Sequence, residues 1–297
     1  VTAPGSLASL GENGLLHLLT AHWKTDSRVL TGVGDDCAVL RGENKNHFLI
    51  FKTDAVVEGV HFSARTEPKL IGRKALARAL SDLAAMGAVP LAAVITIGLP
   101  KNESVQRLRA IYSGMESLAK KYAVNLVGGE TTRANQLFLN VALLGECRGY
   151  RPVLRSGARA GDLIFVTGKL GATQARRHLV FEPRLAEGQW LARHKLASSL
   201  MDISDGLGAD LPRLAKASGV GFQVDPTTVP RACGATLAQA LNDGEDYELL
   251  FTASPANAKI LKKKWPFSTP VRSIGMMTAP GEESRGLVFA HGFDHFK

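Results

Sequence analysis

The chain has little cysteine, with only Cys37, Cys147 and Cys233 among 297 residues. No two are spaced as C-x-x-C and no Cys/His set has zinc spacing, so neither a disulfide framework nor a structural zinc site is written into the sequence. All three sit among small or apolar neighbours and read as buried free thiols in a reducing, cytoplasmic compartment. Long apolar runs are also missing: none approaches the roughly 20 residues that a spanning helix needs, and no membrane partner is expected. The opening VTAPGSLASLGENGLL has no basic stretch ahead of an apolar one, so no signal peptide is visible. Aromatics are scarce at 6%, too few to interleave with the basic residues as a single-strand nucleic-acid binder requires. GxxxxGK[ST], HExxH and GxSxG are all absent, which removes the P-loop, zincin and serine-hydrolase readings.

What is present starts with charge. Lys and Arg number 36 against 27 Asp and Glu, a net +9, which suits an anionic partner such as nucleotide phosphate, nucleic acid or a membrane surface. The length suits two domains of about 150 residues each. Composition shifts between Glu146 and Arg159, through RGYRPVLRSGARAGD, and the boundary is set there, giving residues 1–148 and 149–297. Periodicity predicts a packing helix from about Leu7 to Trp23. Strands follow at 37–40 and 47–53, then another through VVEGVHF. A long helix opens at Pro68, with a buried strand at 91–99 and a helix over 103–122. Strands at 124–127, 137–144 and 162–167 come next. Another near Met201 enters a helix over 207–217, and two more lie at 220–225 and 247–253. Helices and strands alternate throughout, a mixed α/β (α+β) chain.

The informative residues are acids in small or apolar company. TGVGDDCAVL, Thr31 to Leu40, sets Asp35 and Asp36 beside two glycines, either capping a turn or facing a cation. Asp54 stands at a strand end. Asp82, inside LSDLAAMGA, reads alone as a solvated residue on the outer face of its helix. GGETTR, 128–133, is a loop able to turn N–H groups, hydroxyls and Arg133 toward phosphate, or simply a tight turn. In MDISDGL, Asp202, Ser204 and Asp205 precede a helix, as N-caps or as a site. Asn242 to Tyr247 is a third acidic loop, otherwise a solvated hairpin turn. Asp36, Asp54, Asp82, Glu130, Asp202 and Asp205 all lack the Lys/Glu surroundings of solvated faces. Such hard oxygen ligands suit Mg²⁺, which bridges carboxylates to phosphates. Mg²⁺-dependent nucleotide chemistry without a P-loop follows.

GVGDDCAVL, Thr53-Asp54 followed by EGVHF, KALARALSDLAAMGA, GGETTR, RSGARAGD, MDISDGL, GEDYELLFT and GFDHF occur in the order found in the thiamine-monophosphate kinases, which the chain resembles over nearly its whole length. The resemblance implies the two-domain fold of the aminoimidazole-ribonucleotide-synthetase-like superfamily. Residues 1–148 would bind ATP and magnesium and form a homodimer; residues 149–297 would complete the active site. It implies direct transfer of the γ-phosphoryl of ATP to thiamine monophosphate, giving thiamine diphosphate and ADP. Asp36, Thr53, Asp54, Asp82, Glu130, Asp202 and Asp205 would then hold several Mg²⁺ ions. Gly129, Glu130, Arg155 and Ser204 would contact ATP, and His61, Glu245 and Phe293 the thiamine phosphate. No protein base is implied, because a phosphate oxygen is itself the attacking group.

Four features depart from the family pattern: Glu130 for Asp, Lys52 for Ser or Thr, Asp243 for the first glycine of GGEDYEL, and a short segment between Gly168 and Pro183. They leave open another ATP-dependent enzyme of the same superfamily with a changed substrate. From a different class, a basic nucleic-acid-binding protein would account for the net charge but not for the acidic segments; no nucleic-acid partner is expected.

Overall fold

The structure, a computed structural model, describes residues 7–282. Phe293 and the GFDHF motif lie outside the described residues. Helix α1 (Leu7–Thr20) comes first. A six-stranded sheet is built from β1 (Val29–Thr31), β2 (Ala38–Arg41), β3 (His47–Val57), β4 (Val89–Leu99), β5 (Asn125–Arg133) and β6 (Phe138–Arg148) in the order β1-β2-β3-β6-β4-β5. Its neighbours are antiparallel except β4 and β5, which are parallel. Parallel neighbours need a crossover, supplied by α3 (Val105–Lys121), whose first turn is capped where Ser104 Oγ accepts from the Arg107 N–H.

Between β3 and β4 runs α2 (Pro68–Ala85), which opens with proline in its first turn, where a missing N–H costs nothing. It is buried on all sides, with Leu76, Leu80 and Leu83 fully covered. Its approach to α3 is close enough that a Cβ on Gly72 would lie 1.8 Å from the Ile111 carbonyl oxygen, so only glycine fits there.

The second sheet contains β7 (Leu163–Thr167), β8 (Ser199–Asp202), β9 (Gly221–Val224), β10 (Leu249–Ala253) and β11 (Val271–Thr278), all antiparallel in the order β8-β10-β7-β11-β9. With it go α4 (Arg177–Val180), α5 (Leu185–Arg193), α6 (Leu207–Ser218), α7 (Leu237–Asn242) and α8 (Pro255–Lys264). Strand alternation feeds two cores. Leu249 and Phe251 of β10 join a core that continues through α2 into the first sheet, while Leu250 joins one under α6. Helix α2 therefore lies between two layers, the first sheet on one side and α5 and β8 on the other.

Several sequence expectations change. VVEGVHF is not a separate strand: β3 pairs with β6 without interruption through Val57, and the chain turns only at Gly59. GGETTR is not a loop but the second half of β5. Gly129 is required there, since a Cβ would lie 1.8 Å from the Ile95 carbonyl oxygen of β4. The α1 stripe is no packing face, because Gly11 breaks the helix and Leu18 and Leu19 stay exposed at 63% and 51%. Residues 242–247 are not a solvated hairpin turn; α7 ends there and Tyr247 is buried. Cys37 and Cys147 are buried, but Cys233 is exposed. Among the described residues no helix is long and apolar enough to cross a membrane.

Candidate active site

The acids converge where the two sheets face α2. Asp36 precedes β2, Asp82 lies in the last turn of α2 and Asp202 ends β8. All three are buried, and each offers a carboxylate oxygen within 4.8 Å of the other two. Like charges this close and this dry resist ionisation. Burial, with Asp36 adding to it, pushes Asp202 up to about 7. Burial raises Asp82 well above the usual carboxylate range against the opposing pull of Lys52. Asp35 is lifted to about 6 by burial and by Asp36 next to it.

Two cations and a hydroxyl answer this charge. Arg155 donates from Nη2 to Asp36 Oδ1 at 2.6 Å, and its backbone N–H donates to Asp35 at 3.1 Å. Lys52 Nζ lies 3.0 Å from Asp82 Oδ2. Ser81 Oγ donates to Asp202 Oδ2 at 2.6 Å. For Arg155 and Lys52 burial opposes the charged form, but the facing acids outweigh it and hold both pKa values above the usual range. Asp36 Oδ2 is left buried with no hydrogen-bond partner. Three convergent carboxylates with an orphaned oxygen are the donor set a hard divalent cation takes, and the residues present fit Mg²⁺.

Asp54 sits beside this centre on β3, its Oδ2 3.2 Å from Arg78 Nε without hydrogen-bond alignment. One turn earlier on α2, Lys74 is wholly buried. Its ammonium donates to the His61 carbonyl oxygen at 2.7 Å and meets Glu245 Oε1 at 2.5 Å and His178 Nδ1 at 2.7 Å. Burial draws Lys74 down to about 8, with Glu245 pulling the other way. Burial would raise Glu245, but hydrogen bonding from His178 and the charge of Lys74 hold it down at about 2. Glu245 is fixed in a left-handed conformation, its N–H bonded to the Ser204 carbonyl oxygen at 2.7 Å. His61, Ser204 and Glu245 are thus brought together.

Three expected metal ligands are not brought to the cluster. Asp205 turns to Arg213, which also holds Asp210 at 2.9 Å. No side chain caps α6, so the N-capping reading of Ser204 and Asp205 does not hold. Thr53 alternates to the face of β3 opposite Lys52 and Asp54, where its hydroxyl donates to Asn140 Oδ1 at 2.9 Å. Glu130 is exposed on β5, pairs in register with Thr96, and accepts from the neighbouring Thr131 N–H. Gly129, next to it, lies on the same exposed edge strand. A cavity of about 610 Å³ is lined by residues 149–154 and 156, on either side of Arg155 in the chain, and includes none of the clustered carboxylates.

Comparison with known proteins matches this architecture. The family model for the N-terminal domain of AIR synthase related proteins covers residues 34–147, and that for the C-terminal domain covers 159–286. The chain belongs to the AIR synthase related family. Within it, the chain stands among the thiamine-monophosphate kinases. It is 35% identical to that of Buchnera aphidicola subsp. Schizaphis graminum over 93% of this chain and 95% of the relative. It is 35% identical to that of Escherichia coli K12 over 89% and 91%. A solved structure described as AaThiL complexed with AMPPCP and TMP superposes with a TM-score of 0.86 at 31% identity, covering 99% of this chain and 100% of that one.

Lys74, Arg78, Ser81 and His178 escaped the sequence reading. The first two did leave a signal: with Asp82 they recur every fourth residue through an Ala/Leu helix, a charged stripe on a helix with little other polar character.

Proposed function

We propose that the chain transfers the γ-phosphoryl group of ATP to the phosphate of thiamine monophosphate, forming thiamine diphosphate and ADP. The observation that carries this reading is the buried Asp36–Asp82–Asp202 centre, with an unpartnered Asp36 oxygen, at the junction of the two sheets. Asp36, Asp82 and Asp202, with Asp54 beside them, would hold Mg²⁺. Bound there, the metal would neutralise charge on the phosphates in transfer. Arg155, held on Asp36, would lie on the nucleotide side of this scheme, and Ser204, two residues past Asp202, is assigned to ATP with Gly129 and Glu130 of the edge strand β5. Lys74 fixes the Glu245 carboxylate and the His61 carbonyl as one wall of the acceptor site, to which Phe293 is also assigned. Thr53, Glu130 and Asp205 would need a second ion away from the triad to act as ligands. Positioning and charge neutralisation suffice, because the acceptor phosphate oxygen needs no base.

Incubation with ATP, Mg²⁺ and thiamine monophosphate should yield thiamine diphosphate and ADP in equal amounts, and unphosphorylated thiamine should yield none. No thiamine diphosphate under these conditions, or salt-sensitive binding of arbitrary DNA with no affinity for ATP, would overturn the reading.

Residues 1–148 are assigned magnesium and nucleotide binding and homodimer formation, and 149–297 completion of the site. The open face of the first sheet supports the dimer: Phe51, Val94 and Val127 are exposed there at 48%, 42% and 63%, apolar side chains of the kind that a subunit interface covers. Light scattering at micromolar concentration should give twice the chain mass, and a strictly monomeric mass would remove the assignment. The buried thiols Cys37 and Cys147 suit a cytoplasmic, reducing setting.

A further inference from the structure

Lys52 enters the acid cluster from β3 with its side chain only 24% exposed. A lysine at the rim of a site ordinarily runs its stem along apolar surface and leaves the ammonium in water. Here the ammonium ends 3.0 Å from Asp82 Oδ2, and Asp82 offers an oxygen within 4.8 Å of Asp36 and Asp202. With all three ionised, the state that metal binding requires, the carboxylates contribute −3. Arg155 on Asp36 and Lys52 on Asp82 contribute +2, and the Ser81 hydroxyl on Asp202 contributes none. So ionised, the centre stands at −1 before any metal is added; with a neutral residue at position 52 it would stand at −2, the charge that one divalent ion cancels. Asp54 does not alter the count, since Arg78 faces it at 3.2 Å.

We propose that Lys52 is a tethered cation that stands in for one divalent ion at the Asp36–Asp82–Asp202 centre. It keeps the three carboxylates together when no metal is bound, and it lowers by one the number of divalent ions the chain takes up with its nucleotide. The chemistry suits the substitution. An ammonium is a compact point charge with three donors, and Asp82 takes one of them, leaving donors that can turn to a phosphate oxygen. What it cannot do is gather several carboxylate oxygens around itself at the roughly 2.1 Å of a magnesium shell. It therefore meets one acid only, and Asp36 Oδ2 remains without a partner. The proposal rests on the kinase reading only in supposing that the centre meets a metal–nucleotide complex.

The test counts ions. Mn²⁺ is titrated into the full chain in the presence of a non-hydrolysable ATP analogue, and free Mn²⁺ is followed by its EPR signal. Wild type, Lys52→Met and Lys52→Arg are compared. Lys52→Met should bind one more ion per chain than wild type, and Lys52→Arg the same number as wild type. Without metal, Lys52→Met should melt several degrees lower. It should regain that loss at a Mg²⁺ concentration at least about tenfold below the one that shifts wild type, because a unit charge has left the immediate neighbourhood. Equal ion counts in Lys52→Met and wild type overturn the proposal. Should Lys52→Met fail to fold without metal, the double variant Lys52→Met with Asp82→Asn decides. It removes one charge of each sign, so it should fold metal-free and bind no more ions than wild type; an extra ion there overturns the charge count. A wild type that makes no thiamine diphosphate would sink the kinase reading while leaving these ion counts standing.

Discussion

Asp202→Asn is expected to lower phosphoryl transfer by roughly a thousandfold or more, on the scale of removing a group that stabilises charge in the transition state, while raising the melting temperature of the metal-free protein. The two effects share one cause. Asp202 is buried beside Asp36 and Asp82, and its pKa of about 7 against an ordinary 3.8 marks how strongly the folded chain resists its charge. A shift of this size corresponds to about 4 kcal/mol of unfavourable interaction in the ionised form, an upper bound that relaxation reduces. Asparagine keeps an oxygen to accept from Ser81 but brings no charge. The sign for pH follows from linkage. A carboxyl whose folded pKa is raised contributes stability that is present below pH 4 and lost as pH rises through about 7. Metal-free wild type should lose stability over that interval, and Asp202→Asn should flatten the loss. Full activity in the variant would remove Asp202 from the metal set, and a lower melting temperature at pH 7.5 would contradict the repulsion.

The second large effect is expected at Lys74. Lys74→Met should destabilise the fold by about 3 kcal/mol, since removing one partner of a buried pair leaves the other charge uncompensated. Glu245 would be left to His178 and to the hydroxyl of buried Tyr247, which donates to Glu245 Oε1 at 3.2 Å, with no lysine charge to balance it. The KM for thiamine monophosphate should rise with the loss, because Lys74 is what joins Glu245 to the His61 carbonyl. Adding Glu245→Gln to Lys74→Met should recover much of the stability but none of the affinity. Chemical denaturation of the four proteins of this cycle checks it. A single-variant cost under about 1 kcal/mol, or two costs that simply add, would mean the pair is not coupled.

Much of the site was legible because its acids keep small and apolar company; that pattern singled out Asp36, Asp82 and Asp202 before any geometry. Reading Asp82 as outward failed for a definite reason. The rule that a charged residue marks a helix's wet face presumes that one face is wet, whereas α2 has a layer on either side. The same presumption hid Lys74 and Arg78. The ordered motifs named Thr53 and Glu130 as partners of Asp54 but carry no information about which face of a strand each occupies. Strand alternation does carry it, and adjacent Thr53 and Asp54 must diverge. GGETTR suggests a loop because glycine usually marks turns, yet on β5 the missing side chain of Gly129 permits close pairing with β4.

Helix α2 also acts as a ruler. It carries Lys74, the proposed anchor of the acceptor wall, and Asp82 of the carboxylate cluster proposed to hold metal, eight residues and so about 12 Å apart along its axis. No loop intervenes to absorb an error. One inserted residue would advance Asp82 by about 1.5 Å and swing it about 100° around the axis, away from Asp36 and Asp202. On the proposed function, the spacing of the metal and acceptor groups is thereby written into an unbroken stretch of hydrogen-bonded backbone. Length variation in this chain has room elsewhere, as in the segment from Gly168 to Pro183, where only the single turn of α4 interrupts irregular backbone.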